Sequence, residues 1–223
     1  MTRKILAAAT ALTVATMLAT SLVVGASVPG DVQLPIHWGL NGEPDGFAGK
    51  WPALLMPSAM TALLGLLFYF LPALEPRREG LERSQGLYLW GWASLLLVGG
   101  AIQLAVVAVA LGWPVDSARL IVGATGAMLV LIGNQLGKSR SMYLIGMRTP
   151  WTLASEDVWI RTHRLAGKLM VAGGLLIVGA ALLDPAQQRL TVLLIAVVAL
   201  SAGIPIVYSF LLWRRERAAQ ASE

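Results

Sequence analysis

The sequence has no cysteine, only two histidines and little charge. Without cysteine, disulfide frameworks, thiolate zinc or iron–sulfur sites and thiol nucleophiles are excluded. Charged residues make up 13% of the 223 positions and hydrophobic residues 57%, whereas soluble domains carry about 25% charge and about 45 to 50% apolar residues. A soluble globular fold is therefore excluded. Disorder is excluded as well, because it needs low hydrophobicity and high net charge. No H-E-x-x-H, G-x-S-x-G or phosphate-loop pattern occurs, so the known motifs for zinc hydrolysis, serine acyl transfer and nucleotide binding are missing. The net charge of +5 suggests lipid rather than nucleic acid, because its basic residues flank apolar runs.

Crossing a hydrocarbon core of about 30 Å takes about 20 apolar residues in a helix. The runs 5–28, 51–71, 88–111, 117–136, 165–183 and 190–213 meet that length, with only Arg119 and Lys168 as internal charges. Both lie near span ends, where their stems can carry the charge to the headgroups. The expected fold is an all-α, polytopic membrane protein with six transmembrane helices. Short loops rich in Lys and Arg stay in the cytoplasm. With the N-terminus inside, 14 of the 17 basic residues are cytoplasmic and only Lys50, Arg119 and Arg189 face out. This predicts an N-in, C-in topology. The first apolar stretch spans 24 residues, beyond the roughly 7 to 15 of a signal-peptide core, and reads as a retained helix.

Two long loops hold most of the informative residues. The outer loop, 29–50, contains Leu34-Pro35-Ile36-His37-Trp38 and then Asn41-Gly42-Glu43-Pro44-Asp45-Gly46. Its Asn-Gly and Pro-Asp-Gly turns predict an ordered cap. Trp38 and Trp51 suit headgroup anchors, while His37, Glu43 and Asp45 could instead meet a cationic ligand or titrate together. The inner loop, 137–164, contains Tyr143-Leu144-Ile145-Gly146-Met147-Arg148-Thr149-Pro150-Trp151-Thr152-Leu153 and then Ser155-Glu156-Asp157-Val158-Trp159. Pro150 keeps Thr149 extended. Ser155 is a helix N-cap, with Glu156 and Asp157 in the favoured first turn. A helix from there places Val158, Trp159, Thr162, His163 and Ala166 on one face and continues into the fifth span.

No Asp or Glu lies inside a span, so the intramembrane acids of ion-coupled transporters are missing. The interior polar groups are chiefly Gln103, scattered Ser and Thr, and Asn134 near a span end. Pro205 with Gly203 permits a kink, and Gly126, Gly133 and Gly137 permit close helix packing. His37 and His163 fall on opposite sides of the membrane and cannot share a metal; a His–carboxylate site on one side, such as His163 with Glu156, is left open, though such pairs are more often plain helix-surface contacts. No metal, cofactor or catalytic group is expected.

The string Ile145 to Leu153, with Val158-Trp159 and Thr162-His163, closely resembles the signature of the SdpI family of bacterial integral membrane proteins. The outer-loop string is similar to the short N-terminal domain of unknown function often fused to that family. Met142 and Gly137 stand where the family commonly has asparagine and proline. The resemblance divides the chain into 1–72, two helices around the outer loop, and 73–223, an SdpI-like region of four helices around the inner loop. It implies a bacterial cytoplasmic-membrane protein giving immunity to a membrane-active peptide toxin at the outer face. It also implies signalling through a cytoplasmic repressor or other regulator held at the inner face, with no direct contact to nucleic acid. The candidate binding or structural residues are His37, Trp38, Asn41, Gly42, Asp45, Asn134, Tyr143, Gly146, Arg148, Thr149, Pro150, Trp151, Thr152, Trp159 and His163. The rival readings are a small-molecule channel or carrier, or a membrane enzyme. A midplane cavity lined by Arg119, Gln103 or Asn134 would favour transport.

Overall fold

The structure, a computed structural model, describes residues 2–183 and 186–221. Its elements are α1 (Arg3–Ser27), β1 (Gln33–Trp38), β2 (Pro44–Gly49), α2 (Lys50–Leu74), α3 (Arg78–Arg83), α4 (Gln85–Ala110), α5 (Ser117–Leu136), α6 (Pro150–Ala154), α7 (Glu156–Leu182) and α8 (Gln187–Gln220). Six of these helices, α1, α2, α4, α5, α7 and α8, are long and apolar enough to cross a membrane, as the apolar runs predict. Residues such as Leu12, Leu63, Leu182 and Leu211 turn apolar side chains outward, the surface that lipid rather than water accommodates.

Helix α4 packs against α1, α2 and α5, and α7 lies between α5 and α8. One core joins Leu6, Leu71, Tyr88, Trp92, Met142 and Trp159. A second, at the opposite end of α1 and α4, joins Val24, Leu34, Leu54 and Val106. Several buried polar side chains bond between helices: Trp92 Nε1 donates to Thr10 Oγ1 at 2.9 Å, Ser21 Oγ to the Leu54 carbonyl at 2.7 Å, and Gln103 Nε2 to Ser21 Oγ at 3.2 Å, while Gln103 Oε1 has no partner among the described residues. Such bonds contribute about 0.6 kcal/mol each on average within a membrane.

Helices α5 and α7 approach closely, and small residues permit it. A Cβ on Gly167 would stand 2.6 Å from the Gly133 carbonyl oxygen, and one on Gly174 would stand 2.6 Å from the Gly126 carbonyl oxygen. Gly137 lies against the Cα of Arg164. All three glycines singled out on α5 and at its end therefore face α7, and their partners Gly167 and Gly174 complete the seam.

The all-α expectation needs one correction. The outer loop is an antiparallel β-hairpin, pairing Gln33 with Gly49 and Trp38 with Pro44, with irregular register around His37. Its end is closed by Gly39 N–H to the Glu43 carbonyl and Gly42 N–H to the Gly39 carbonyl, both 2.9 Å. The strands carry proline and glycine and do not alternate cleanly, so the pattern that announces a strand is absent. Leu34 and Pro35 are buried, which seats the hairpin on the ends of α2 and α4. The Asn41-Gly42 turn is as expected, whereas Pro44-Asp45-Gly46, expected as a second turn, runs extended in β2 and pairs with β1.

Candidate functional site

At the end of the bundle formed by α3, α6 and the loop 137–149, the backbone is organised by a buried carboxylate. Glu75, immediately after α2, is 2% exposed. Its oxygens accept from the backbone amides of Arg77 at 2.9 Å, Tyr143 at 3.0 Å and Leu144 at 2.8 Å. A carboxylate can accept several such bonds, and charge makes each stronger than a neutral pair. Arg77 completes the clamp. Its guanidinium donates to Ser141 Oγ, to Tyr143 OH at 3.2 Å and to the Leu153 carbonyl at 3.3 Å, and lies 4.5 Å from the Tyr143 ring centre. Two residues next to α2 thus fix a loop nearly 70 positions later.

The signature residues interlock behind this clamp. His163 and Trp159 are fully buried and stack with ring centres 3.9 Å apart. The His163 ring uses both nitrogens: Nδ1 donates to the Trp159 carbonyl at 2.8 Å and Nε2 accepts from Met147 N–H at 2.9 Å. The partners assign this tautomer, since a carbonyl can only accept and an amide N–H can only donate. Gly146 has φ +115°, and a Cβ there would lie 2.7 Å from His163 Nε2 and 2.8 Å from the Trp159 ring. Only glycine fits both the backbone and the space. Trp159 Nε1 donates to Ser139 Oγ at 3.2 Å. Arg148 donates to the Tyr143 carbonyl at 2.8 Å, so it ties the loop to itself while remaining exposed.

Thr149 is extended, as Pro150 requires, and caps α6 in a reciprocal box with Thr152. Thr152 Oγ1 also donates to the Met147 carbonyl at 2.8 Å. Helix α6 then docks on the end of α8: Trp151 Nε1 donates to Ser209 Oγ at 2.5 Å, with its ring against Phe210 and Trp213. Ser155 caps α7 through Val158 N–H, as expected, and also donates to Glu216 at 3.1 Å. Glu156 lies instead beside Arg140 and Ser141 N–H. The His163–Glu156 pairing left open from the sequence does not form, because one is buried among aromatic and backbone groups and the other is exposed.

At the hairpin, His37 Nδ1 and Asp45 Oδ1 are 2.5 Å apart on an exposed surface. Asn41 Oδ1 accepts from Glu43 N–H at 3.1 Å. Gly42, at φ +83°, closes directly on the Gln187 side chain of α8, and Trp38 is half-buried on the second core. The structure therefore gathers His37, Trp38, Asn41, Gly42 and Asp45 in the hairpin, and Tyr143 through Thr152 around Trp159 and His163 of α7. Asn134 is exposed on α5 and enters none of these bonds. Glu75, Arg77, Ser139 and Ser209 escape a sequence reading, because their partners are distant in the chain. The one available signal is Glu75-Pro76 directly after an apolar run, an acidic residue where a span ends.

A cavity of about 780 Å³ includes Arg119 and Asp116, but Leu96, Leu97, Leu104, Leu120 and small residues of α4, α5 and α7 make up most of its wall. Gln103 is buried against Ser21 rather than lining it.

Six apolar helices with polar clusters concentrated at two ends define a multi-pass membrane protein. Residues 138–209 match the SdpI/YfhL protein family, and residues 12–62 match a domain of unknown function, DUF1648. The chain thus carries an SdpI-type segment preceded by a DUF1648 segment, as its two loop motifs indicate. It is 27% identical over 161 residues to the Immunity protein SdpI of Bacillus subtilis (strain 168), covering 71% of this chain and 72% of the relative. No solved structure matches.

Proposed function

We propose that this protein resides in the bacterial cytoplasmic membrane with both chain ends inside and confers immunity to a membrane-active peptide toxin by binding. The observation that carries this reading is the similarity to Immunity protein SdpI, which extends over most of both chains. The basic-residue distribution supports the orientation. In this reading the hairpin, with its His37–Asp45 pair and Trp38, faces the toxin. The loop held by Glu75, Arg77 and His163 faces the cytoplasm, where the exposed Arg148 and the α6–α8 corner receive a regulator. The candidate site residues act as two recognition surfaces, with the buried members Trp159, His163, Gly146 and Thr152 shaping the inner one. A carrier is the weaker reading, because the cavity that includes Arg119 is otherwise apolar.

The test is to express the protein in a toxin-sensitive bacterium and challenge the cells with a panel of membrane-active peptides. Survival above the empty-vector control against at least one peptide is expected, and Arg148→Ala at equal membrane level should lose protection or the transcriptional response. No gain in survival against any peptide, with the protein correctly inserted, would refute the reading. Reporter fusions after 72 and 137 that prove periplasmic would overturn the orientation separately.

A further inference from the structure

Beside the Glu75 clamp lies a polar cavity of about 430 Å³, lined by Arg77, Arg78, Arg83, Arg140, Ser141 and the carboxylates of Glu79 and Glu156. Four arginines and two glutamates line it, so its lining carries excess positive charge. The carboxylates are already engaged: Glu79 lies 3.4 Å from Arg83, and Glu156 lies 3.8 Å from Arg140. Arg77 spends its donors on a serine, a tyrosine and a carbonyl, all neutral acceptors. Arg140 likewise donates to the carbonyls of Lys138 and Ser139. Among the described residues Arg78 makes no ion pair. A concave site where arginines from two segments meet, with Arg78 outside any ion pair and Arg77 bonded only to neutral acceptors, is suited to a phosphate, whose oxygens can take bidentate guanidinium bonds. It opens at the end of α2, level with the emergence of an apolar helix, where basic pockets meet acidic lipid headgroups.

We infer that this cavity binds a phosphate-bearing anion, through Arg78 and Arg140, with Arg77 holding the wall in place. The chemistry is shared by the headgroup of an acidic phospholipid and by free phosphate. The site is independent of the toxin reading, since neither the hairpin nor Arg148 contributes to it.

The test uses the full-length protein, delipidated in a neutral detergent and titrated with short-chain phosphatidylglycerol, short-chain phosphatidylcholine and inorganic phosphate, with binding read by native mass spectrometry and thermal shift. Saturable binding of phosphatidylglycerol over phosphatidylcholine is expected, and Arg78→Gln with Arg140→Gln should weaken it by roughly tenfold or more. Arg78→Gln alone should weaken it in part with an unchanged melting temperature, since the side chain is exposed. Glu156→Gln should tighten it, because it removes the carboxylate beside Arg140, a change no loss of structure would produce. Inorganic phosphate that competes at equal concentration assigns the site to free phosphate; failure to compete assigns it to the lipid headgroup. Equal binding of both lipids, or an Arg78→Gln, Arg140→Gln protein matching an Arg161→Gln control from elsewhere on the surface, would overturn the inference.

Discussion

Replacing Glu75 with alanine tests whether one carboxylate organises the inner loop. The change removes acceptors from three backbone amides, those of Arg77, Tyr143 and Leu144, at a position 2% exposed. A hydrogen bond to a charged acceptor contributes about 1.5 to 3 kcal/mol, and a buried donor left unmatched costs about 1 to 3 kcal/mol. Water can reach part of the emptied space, because Tyr143 and Leu144 are themselves exposed. Full additivity is therefore too large, and about 3 to 5 kcal/mol is expected. The consequence should be local: the six long helices keep their packing, while the loop loses its register against α2. Thermal melting in detergent should fall, and trypsin should cleave at Lys138, Arg140 or Arg148 well before it does in the parent protein. Glu75→Gln, which keeps one acceptor oxygen, should lie between the two. An alanine variant with parental melting and parental cleavage rates would refute the anchoring role.

Gly146→Ala should be destabilising by about 2 to 4 kcal/mol, since it combines an unfavourable positive φ with overlap on His163 and Trp159; near-ultraviolet circular dichroism of the tryptophans reports it. Gly167→Val should separate α5 from α7 and lower the melting temperature, because even a Cβ would press on the Gly133 carbonyl, an overpacking cost of about 1 to 3 kcal/mol. Trp92→Phe should keep most of the core contact but leave Thr10 without its indole donor, a loss of about 0.6 kcal/mol measured by unfolding in mixed micelles. His37→Ala should leave melting nearly unchanged, since the His37–Asp45 pair is exposed and surface pairs contribute about 0 to 1 kcal/mol, yet should reduce toxin protection in the survival assay if the hairpin is the recognition surface.

The six spans were legible because lipid imposes a length and a composition that a sequence displays directly. Ser155 and Pro150 were equally legible, since capping and proline geometry act on immediate neighbours. The short helix after Thr149 was hidden in five residues, too few for periodicity to register. The hairpin was hidden by its own chemistry: Pro35, Pro44 and the glycines of β2 deny it the β-branched alternation that marks a strand. Glu75 was hidden for a different reason. Its role exists only once Tyr143 and Leu144 arrive from almost 70 positions later in the chain, and a carboxylate next to a span end otherwise looks like any solvated loop residue. The same holds for Trp151, whose aromatic character was visible but whose partners, Ser209, Phe210 and Trp213, lie on another helix.

Helix α8 has 34 residues, about 51 Å of rod, against a hydrocarbon thickness of about 30 Å. One tip meets the hairpin turn, where Gly42 closes on Gln187, and the other grips α6 through Ser209 and Glu216. A single continuous helix, carrying Pro205 within it, therefore touches both the hairpin turn and the α6 corner, so the two polar ends of the protein share one covalent element.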